Sequence, residues 1–249
     1  MKIKRIIING LLGGEKNICL DLKDNVNILA GYKGSGKTEI LHNIVGVLKS
    51  ALEETKFEPH IPVTGKIQIE FNEDLEIVWT PGSIAKIEYT RELHDAKGYI
   101  KKNLSIFNHW ADEYWDPDEI IEEVKQNIRN YDLDLKQEFF QDIFNDKSFE
   151  ILEVDGEFCI SKQDTNRLLK IDDLNIGELL LLLIMTRPGI NQNGIYVLDT
   201  PEFYICSDHQ YELIDNLQKY YSNLQLILST HLPSLLGKEW GWGDTIINI

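Results

Sequence analysis

The sequence predicts an α/β fold built on a parallel sheet, with a second, antiparallel sheet and a mostly helical insertion. Three observations carry that expectation. A buried-type apolar run, Val26-Asn27-Ile28-Leu29-Ala30, passes through a glycine-rich loop into a segment of helical periodicity. Two further apolar runs, 195–198 and 224–228, end in Asp199 and in Ser229-Thr230-His231. Strands covered on both faces read as continuous apolar runs, and open parallel sheets gather their polar groups at the carboxyl ends of such strands. Between these runs lie period-two stretches of half-buried antiparallel strands. With 249 residues, 43% of them hydrophobic, the chain is long enough to bury a full core without disulfides or a structural metal.

Taken in order, Ile3-Lys4-Arg5-Ile6-Ile7-Ile8 alternates as a strand and is expected to turn at Asn9-Gly10. A second strand follows at 17–22 and a third at 26–30. Lys37-Thr38-Glu39 then opens a helix whose apolar positions are Ile40, Leu41, Ile44, Val45 and Leu48. Residues 66–71, 75–79 and 86–89 form an antiparallel meander, broken at Asn72-Glu73-Asp74 and at Pro81-Gly82-Ser83. From about 94 to 148 the pattern turns helical and acidic, with Pro117 placed at the first turn of a helix. A hairpin follows across Asp155-Gly156, then an apolar helix after Leu174-Asn175-Ile176-Gly177-Glu178. The order closes with the strand ending in Asp199, an amphipathic helix near 210–220, the strand ending at Ser229, and a short strand at 245–248.

Gly31-Tyr32-Lys33-Gly34-Ser35-Gly36-Lys37-Thr38 fits the pattern G-x-x-x-x-G-K-[ST] between a strand and a helix, the context that gives the pattern its meaning. Gly31, Gly34 and Gly36 let the backbone N–H groups of the loop, Lys33 and Ser35 among them, wrap nucleotide phosphates at a positive helix end. Lys37 supplies a point charge to the β- and γ-phosphates, Thr38 an oxygen for Mg²⁺, and Glu39 completes the first turn of the helix. Asp199, at the end of a neighbouring strand, is the expected second support for the ion. His231, after the next strand, is placed to sense or polarise a γ-phosphate.

These segments occur in an order that resembles ABC-type ATPase heads of the SMC, RecF and OLD kind, shared by AAA-type ATPases of bacterial defence and repair systems. The resemblance spans nearly the whole chain, with the strong matches concentrated in about thirty positions. It implies a P-loop NTPase fold, an ABC-ATPase-like head with an antiparallel β subdomain and an inserted helical lobe over about 94–148. It also implies ATP and Mg²⁺ as cofactors and head-to-head pairing of two copies. In such a pair each nucleotide lies between the phosphate loop of one copy and the signature segment of the other. By resemblance, Asn175, Gly177 and Glu178 stand in the signature segment, Asn175 where serine is usual, and His231 is the switch histidine.

Two departures shape the expected activity. The catalytic glutamate normally follows the Mg²⁺ aspartate directly, whereas this chain has Thr200 there and Glu202 two residues later. A threonine hydroxyl does not act as a base near neutral pH. Either Glu202 takes the role and the protein is an ATPase, or it is a nucleotide-gated scaffold with little turnover. The glutamine that should couple Mg²⁺ to the lobe is also missing from its place; Gln68 lies on the meander, and Asn108-His109, at the end of the strand-like run 104–107, is the substitute. A transporter ATP-binding subunit is the less favoured reading, because Ser229-Thr230-His231-Leu232-Pro233 and the degenerate signature resemble the SMC and OLD side.

The formal charge of −16, from 25 Lys and Arg against 41 Asp and Glu, disfavours wholesale coating of nucleic acid. DNA is therefore not an expected partner. Between Asp112 and Asp155 fifteen acidic and four basic residues give a local charge of −11, either a solvated helical face or a docking surface for a basic protein. Cys19, Cys159 and Cys206 are odd in number and lack CxxC spacing, so they read as free thiols. His42, His60, His94 and His209 show no metal-ligand spacing. The longest purely apolar run, 179–185, is far short of the roughly 20 residues of a membrane span. The expectation is a cytoplasmic, homodimeric or larger assembly with an effector protein as partner.

Overall fold

The fold comes from a computed structural model, which describes residues 1–11, 14, 16–89, 96–109, 116–130, 137–143, 149–161, 168–187, 194–203, 207–231 and 246–249. The chain divides into two units. The first comprises Met1–Trp110, Asn193–Thr200 and Asn223–Ile249; the second comprises Ala111–Gln192 and Pro201–Ser222. The expected lobe of 94–148 is thus shared between the units.

In the first unit β1 (Ile3–Leu11), β2 (Lys16–Asp21) and β3 (Val26–Ala30) precede α1 (Lys37–Glu53). They are followed by β4 (Ile67–Phe71), β5 (Leu75–Trp79), β6 (Lys86–Tyr89), α2 (Ala96–Asn103) and β7 (Ser105–His109). After the second unit's elements come β11 (Gly194–Asp199), β12 (Leu224–Thr230) and β13 (Ile246–Asn248). Two five-stranded sheets result: an antiparallel one ordered β2-β1-β4-β5-β6, and one ordered β13-β3-β12-β11-β7 in which every pairing is parallel. Their sequences differ as their burial requires. In β4 and β5 buried and half-buried residues alternate, whereas β3, β11 and β12 are buried at every position.

Helix α1 contacts both sheets, meeting β4 and β5 of one and β11 and β12 of the other. Its stripe Ile40, Leu41, Ile44, Val47 and Leu48 is fully buried, in one core with Ile6 and Ile8 of β1, Ile69 of β4, Ile77 of β5, and Val197 and Ile227 of the parallel strands. Each such side chain contributes on the order of 1.5–3 kcal/mol as an upper estimate. Gln225 of β12 ties the sheets together. Its amide accepts from the Ile3 N–H at 2.8 Å and donates to the carbonyls of Ile3 at 2.8 Å and Lys23 at 2.7 Å.

The turn expected at Asn9-Gly10 is instead a bulge inside β1, which runs on to Leu11. Gly10 takes φ +72°, and a Cβ there would come within 2.2 Å of Thr64 Oγ1, so the chain bends without reversing.

The second unit holds α3 (Pro117–Arg129), α4 (Gln137–Ile143), the sheet β8 (Glu150–Val154), β9 (Glu157–Ser161) and β10 (Leu168–Lys170), then α5 (Ile176–Thr186) and α6 (Ser207–Tyr220). As expected, Pro117 opens α3, with Asp116 as its cap. Helix α3 packs on α5, whose residues 179–186 are all buried, and Arg187 clamps Glu123 with bonds of 2.7 and 3.0 Å. Lys125, 8% exposed, donates to Asp172 at 3.0 Å; that bond holds the lysine pKa up and the aspartate pKa down. Strand β10 has no counterpart in the expected elements.

Candidate functional site

Strands β3, β12 and β11 lie side by side, and their parallel register sets the site. Asp199 pairs with Ser229, and Thr230 pairs with Ala30, so the ends of β11 and β12 stand beside the start of the glycine loop. On the far side of β11, Asn108 and His109 of β7 pair with Val197 and Leu198, which brings the backbone of that expected substitute to the same sheet edge.

The loop geometry demands its glycines. Gly36 is the N-cap of α1 at φ +100°, and a Cβ on Gly31 would meet Ser35 Oγ at 2.7 Å and the Ile249 carbonyl at 2.9 Å. No side chain caps α1, a 17-residue helix whose N-terminus carries the positive end of its dipole. Tyr32 is 91% exposed. Lys33 is also exposed, and Lys16 of β2 adds a second nearby cation by donating to the Ser35 carbonyl at 3.2 Å.

Lys37 is 4% exposed and folded over the loop, donating to the carbonyls of Gly31 at 2.8 Å and Tyr32 at 3.1 Å. His231 Nδ1 lies 3.3 Å from the same ammonium. An ammonium only donates, so Nδ1 is the acceptor in that contact. Thr38 Oγ1 is 3.1 Å from both carboxylate oxygens of Asp199. A hydroxyl and a carboxylate converging below a helix N-terminus match the hard oxygen donors that Mg²⁺ takes alongside phosphate and water. Lys37, Thr38, Asp199 and His231 are therefore brought together in the first unit, and their chemistry fits a nucleotide with its ion.

Ser229 and Thr200 complete the arrangement. Ser229 Oγ donates to Asp199 Oδ1 at 2.5 Å, and the Thr200 N–H donates to Ser229 Oγ at 3.0 Å. Thr200 Oγ1 lies 3.2 Å from Asp199 Oδ1, and the residue is 3% exposed at φ +49°, a conformation that costs a β-branched residue about 1–2 kcal/mol. The Thr200 hydroxyl is thus turned onto Asp199. Sequence reading passed over Ser229; the signal was its place level with Asp199 on the adjoining apolar run.

The other expected site residues lie in the second unit. Asn175 caps α5 in a reciprocal box: its Oδ1 accepts from the Glu178 N–H at 3.0 Å, and its own N–H donates to Glu178 Oε2 at 3.3 Å. Gly177 is in the first turn of that helix, beside Ile176, which is 48% exposed. Glu202 sits half-buried in the short 3-10 turn Pro201–Phe203. His42 and His60 face each other at 4.7 Å between ring centroids, and no cluster of three or more metal-ligating side chains occurs among the described residues. Cys19 and Cys159 are free thiols; Cys206, His94, Leu232 and Pro233 lie outside the described residues. None of the described helices is long and apolar enough to cross a membrane.

No protein-family model matches the chain, and no curated protein matches it. Solved structures do. The SMC head domain from Thermotoga maritima is similar over 100% of this chain and 94% of its own, at 17% identity and a TM-score of 0.64. An SMC head bound to the C-terminal winged-helix domain of ScpA is similar over the same shares, at 12% identity and 0.63. An SMC head with an extended coiled coil, bound to the C-terminal domain of ScpA from Pyrococcus furiosus, is similar over 94% of this chain and 91% of its own, at 13% and 0.57. The fold of this chain is that of these SMC heads.

Proposed function

We propose that this protein binds ATP with Mg²⁺, hydrolyses it, and uses the cycle to drive head-to-head association and dissociation of its own copies, thereby controlling an effector protein. The observation that carries the reading is the convergence of Lys37, Thr38, Asp199 and His231 at one sheet edge. Lys37 would leave its loop carbonyls for the phosphates, and Thr38 with Asp199 would hold the ion, which screens phosphate charge. His231 would meet the γ-phosphate. Gly31, Lys33, Gly34, Ser35, Gly36 and Glu39 line the phosphate end. Asn175, Gly177 and Glu178 of a second copy would close the site from across the pair, with the exposed N-terminus of α5 toward the γ-phosphate. Glu202 is assigned as the base for water. The SMC heads solved with ScpA domains support a head that takes a protein partner. Bacterial defence against phage or DNA repair, in the cytoplasm, is the setting that the sequence resemblance supports.

A second reading has an observation of its own. Thr200 stands where the base is usual, and its hydroxyl is spent on Asp199, which favours a nucleotide-gated scaffold with slow turnover. Light scattering with and without ATP, run beside a phosphate-release assay, separates the two. The ATPase reading expects ATP-dependent dimers and a rate abolished by Lys37→Ala. The scaffold reading expects the dimers with turnover near background. A measurable rate unchanged in Glu202→Gln would sink the assignment of that residue as base.

A further inference from the structure

Six large apolar side chains are exposed among the described residues, and three of them lie on the small sheet of the second unit: Leu152 at 37%, Val154 at 38% and Leu168 at 51%. Register puts these three on one face. Leu152 of β8 stands opposite Cys159 of β9, which stands opposite Lys170 of β10; Val154 and Leu168 are two residues away along their own strands, and alternate residues share a face. The other face, with Ile151, Phe158 and Ile160, is buried, and the Arg129 guanidinium lies over the Phe158 ring at 5.5 Å. One face of the sheet is thus used inside the unit, while the other carries Leu152, Val154 and Leu168 exposed around Cys159, itself 6% exposed, and β8 is an edge strand among the described residues.

Charge decides what fits there. The second unit carries 24 Asp and Glu against 9 Lys and Arg, a net charge of −15, and the first unit carries the remaining −1. Glu150 and Lys170 share that face and Asp155 is exposed in the turn at its end, whereas Glu153, also exposed, alternates to the opposite face. A second copy would set −15 against −15, and nucleic acid would bring phosphates to the same surface. A cationic protein segment with interleaved apolar side chains satisfies both the apolar face and its acidic surround.

We propose that the open face of the β8-β9-β10 sheet, with Leu152, Val154 and Leu168 at its centre, docks a basic amphipathic segment of a partner protein. The leucines and valine seat its apolar side chains, and the carboxylates of β8 and its turn meet its cations. The inference gives chemistry to the partner in the proposed function and rests on that element of it; nucleotide binding in the first unit is a separate matter.

The test uses the full chain and a fluorescent twelve-residue peptide of alternating lysine and valine, read by anisotropy. A glutamate-valine peptide and a short DNA duplex serve as comparisons. The proposal expects the lysine peptide to bind at least about fivefold more tightly than either comparison. It expects at least about a fivefold loss in Leu152→Thr/Leu168→Thr, which keeps strand propensity, and a measurable loss, about twofold or more, in Glu150→Lys. Circular dichroism of each variant, matching wild type, shows that the loss is not one of fold. Equal binding by both variants, no binding by wild type, preference for the duplex, or variants that only dissociate a homodimer would each overturn the proposal. Lys37→Ala runs in parallel: peptide binding retained where wild type fails to bind nucleotide would overturn the proposed function and leave the docking surface standing.

Discussion

Replacing Thr38 by valine removes one hydroxyl and keeps volume and branching. That hydroxyl lies 3.1 Å from both oxygens of Asp199, whose residue is 2% exposed. A hydrogen bond to a charged group contributes about 1.5–3 kcal/mol. Asp199 keeps Ser229 at 2.5 Å and Thr200 at 3.2 Å, so its carboxylate is not orphaned and the lower end applies, about 1–2 kcal/mol. In a chain of this length each kcal/mol moves Tm by about 2–4 °C, giving a fall of about 2–8 °C. The effect on the ion is separate and larger. One of two protein oxygens placed for Mg²⁺ disappears, so ATP affinity measured with Mg²⁺ falls by about tenfold or more, some 1.4 kcal/mol, while affinity measured in EDTA holds. Calorimetric ATP titrations under both conditions, beside a thermal melt, read the two effects apart. A folded variant with undiminished Mg²⁺ dependence would refute the placement of the ion between Thr38 and Asp199.

Other outcomes follow from the same geometry. Gln225→Leu removes the partner of the Ile3 N–H and a donor to the Ile3 carbonyl, while the Lys23 carbonyl still accepts from Asn27 at 2.9 Å, and is expected to cost about 2 kcal/mol or more in a urea unfolding measurement; a loss below about 1 kcal/mol would deny the cross-link. Thr200→Gly relieves the φ of +49° but deletes the hydroxyl contacts with Asp199 and Ser229, so stability is expected to stay within about 1 kcal/mol of wild type in urea unfolding; a loss above about 2 kcal/mol would contradict the strain assigned to that φ. The bond from Lys125 lowers the Asp172 pKa in the folded protein, so its stabilisation is present above the ordinary value of 3.8 and is lost as pH falls through the lowered one. Melts of wild type and Asp172→Asn should therefore differ most near pH 6 and converge on acidification below about pH 3; a gap that widens with acid would reverse the sign.

Local patterns made much of the molecule legible. The glycine loop between β3 and α1 declared itself because its residue types are dictated by backbone conformation at Gly36 and by the close approach at Gly31. Asp199 and His231 were legible because strands buried on every side leave an unmistakable apolar run, after which polar residues stand out. Pairing across long separations was not legible. Nothing local in Ser105–His109 says that this segment joins the parallel sheet beside β11, or that β1 would lie between β2 and β4. Asn9-Gly10 read as a turn since its composition suits one, yet the neighbouring chain at 64–66 bonds both residues through their backbones and leaves the glycine to make a bulge. The bond from Ser229 to Asp199 depends on register between two strands, and the open face of the small sheet depends on β10, three residues too short to announce itself.

The central claim is that Lys37 and its neighbours bind a nucleoside triphosphate. Titration of wild type and Lys37→Ala with ATP and Mg²⁺ by isothermal calorimetry addresses it directly. Lys37 meets two loop carbonyls and His231 at distances of 2.8–3.3 Å, so its loss is expected to leave the loop folded and weaken ATP by at least about tenfold. No heat of binding in wild type, or equal affinity in the two proteins, would contradict the account.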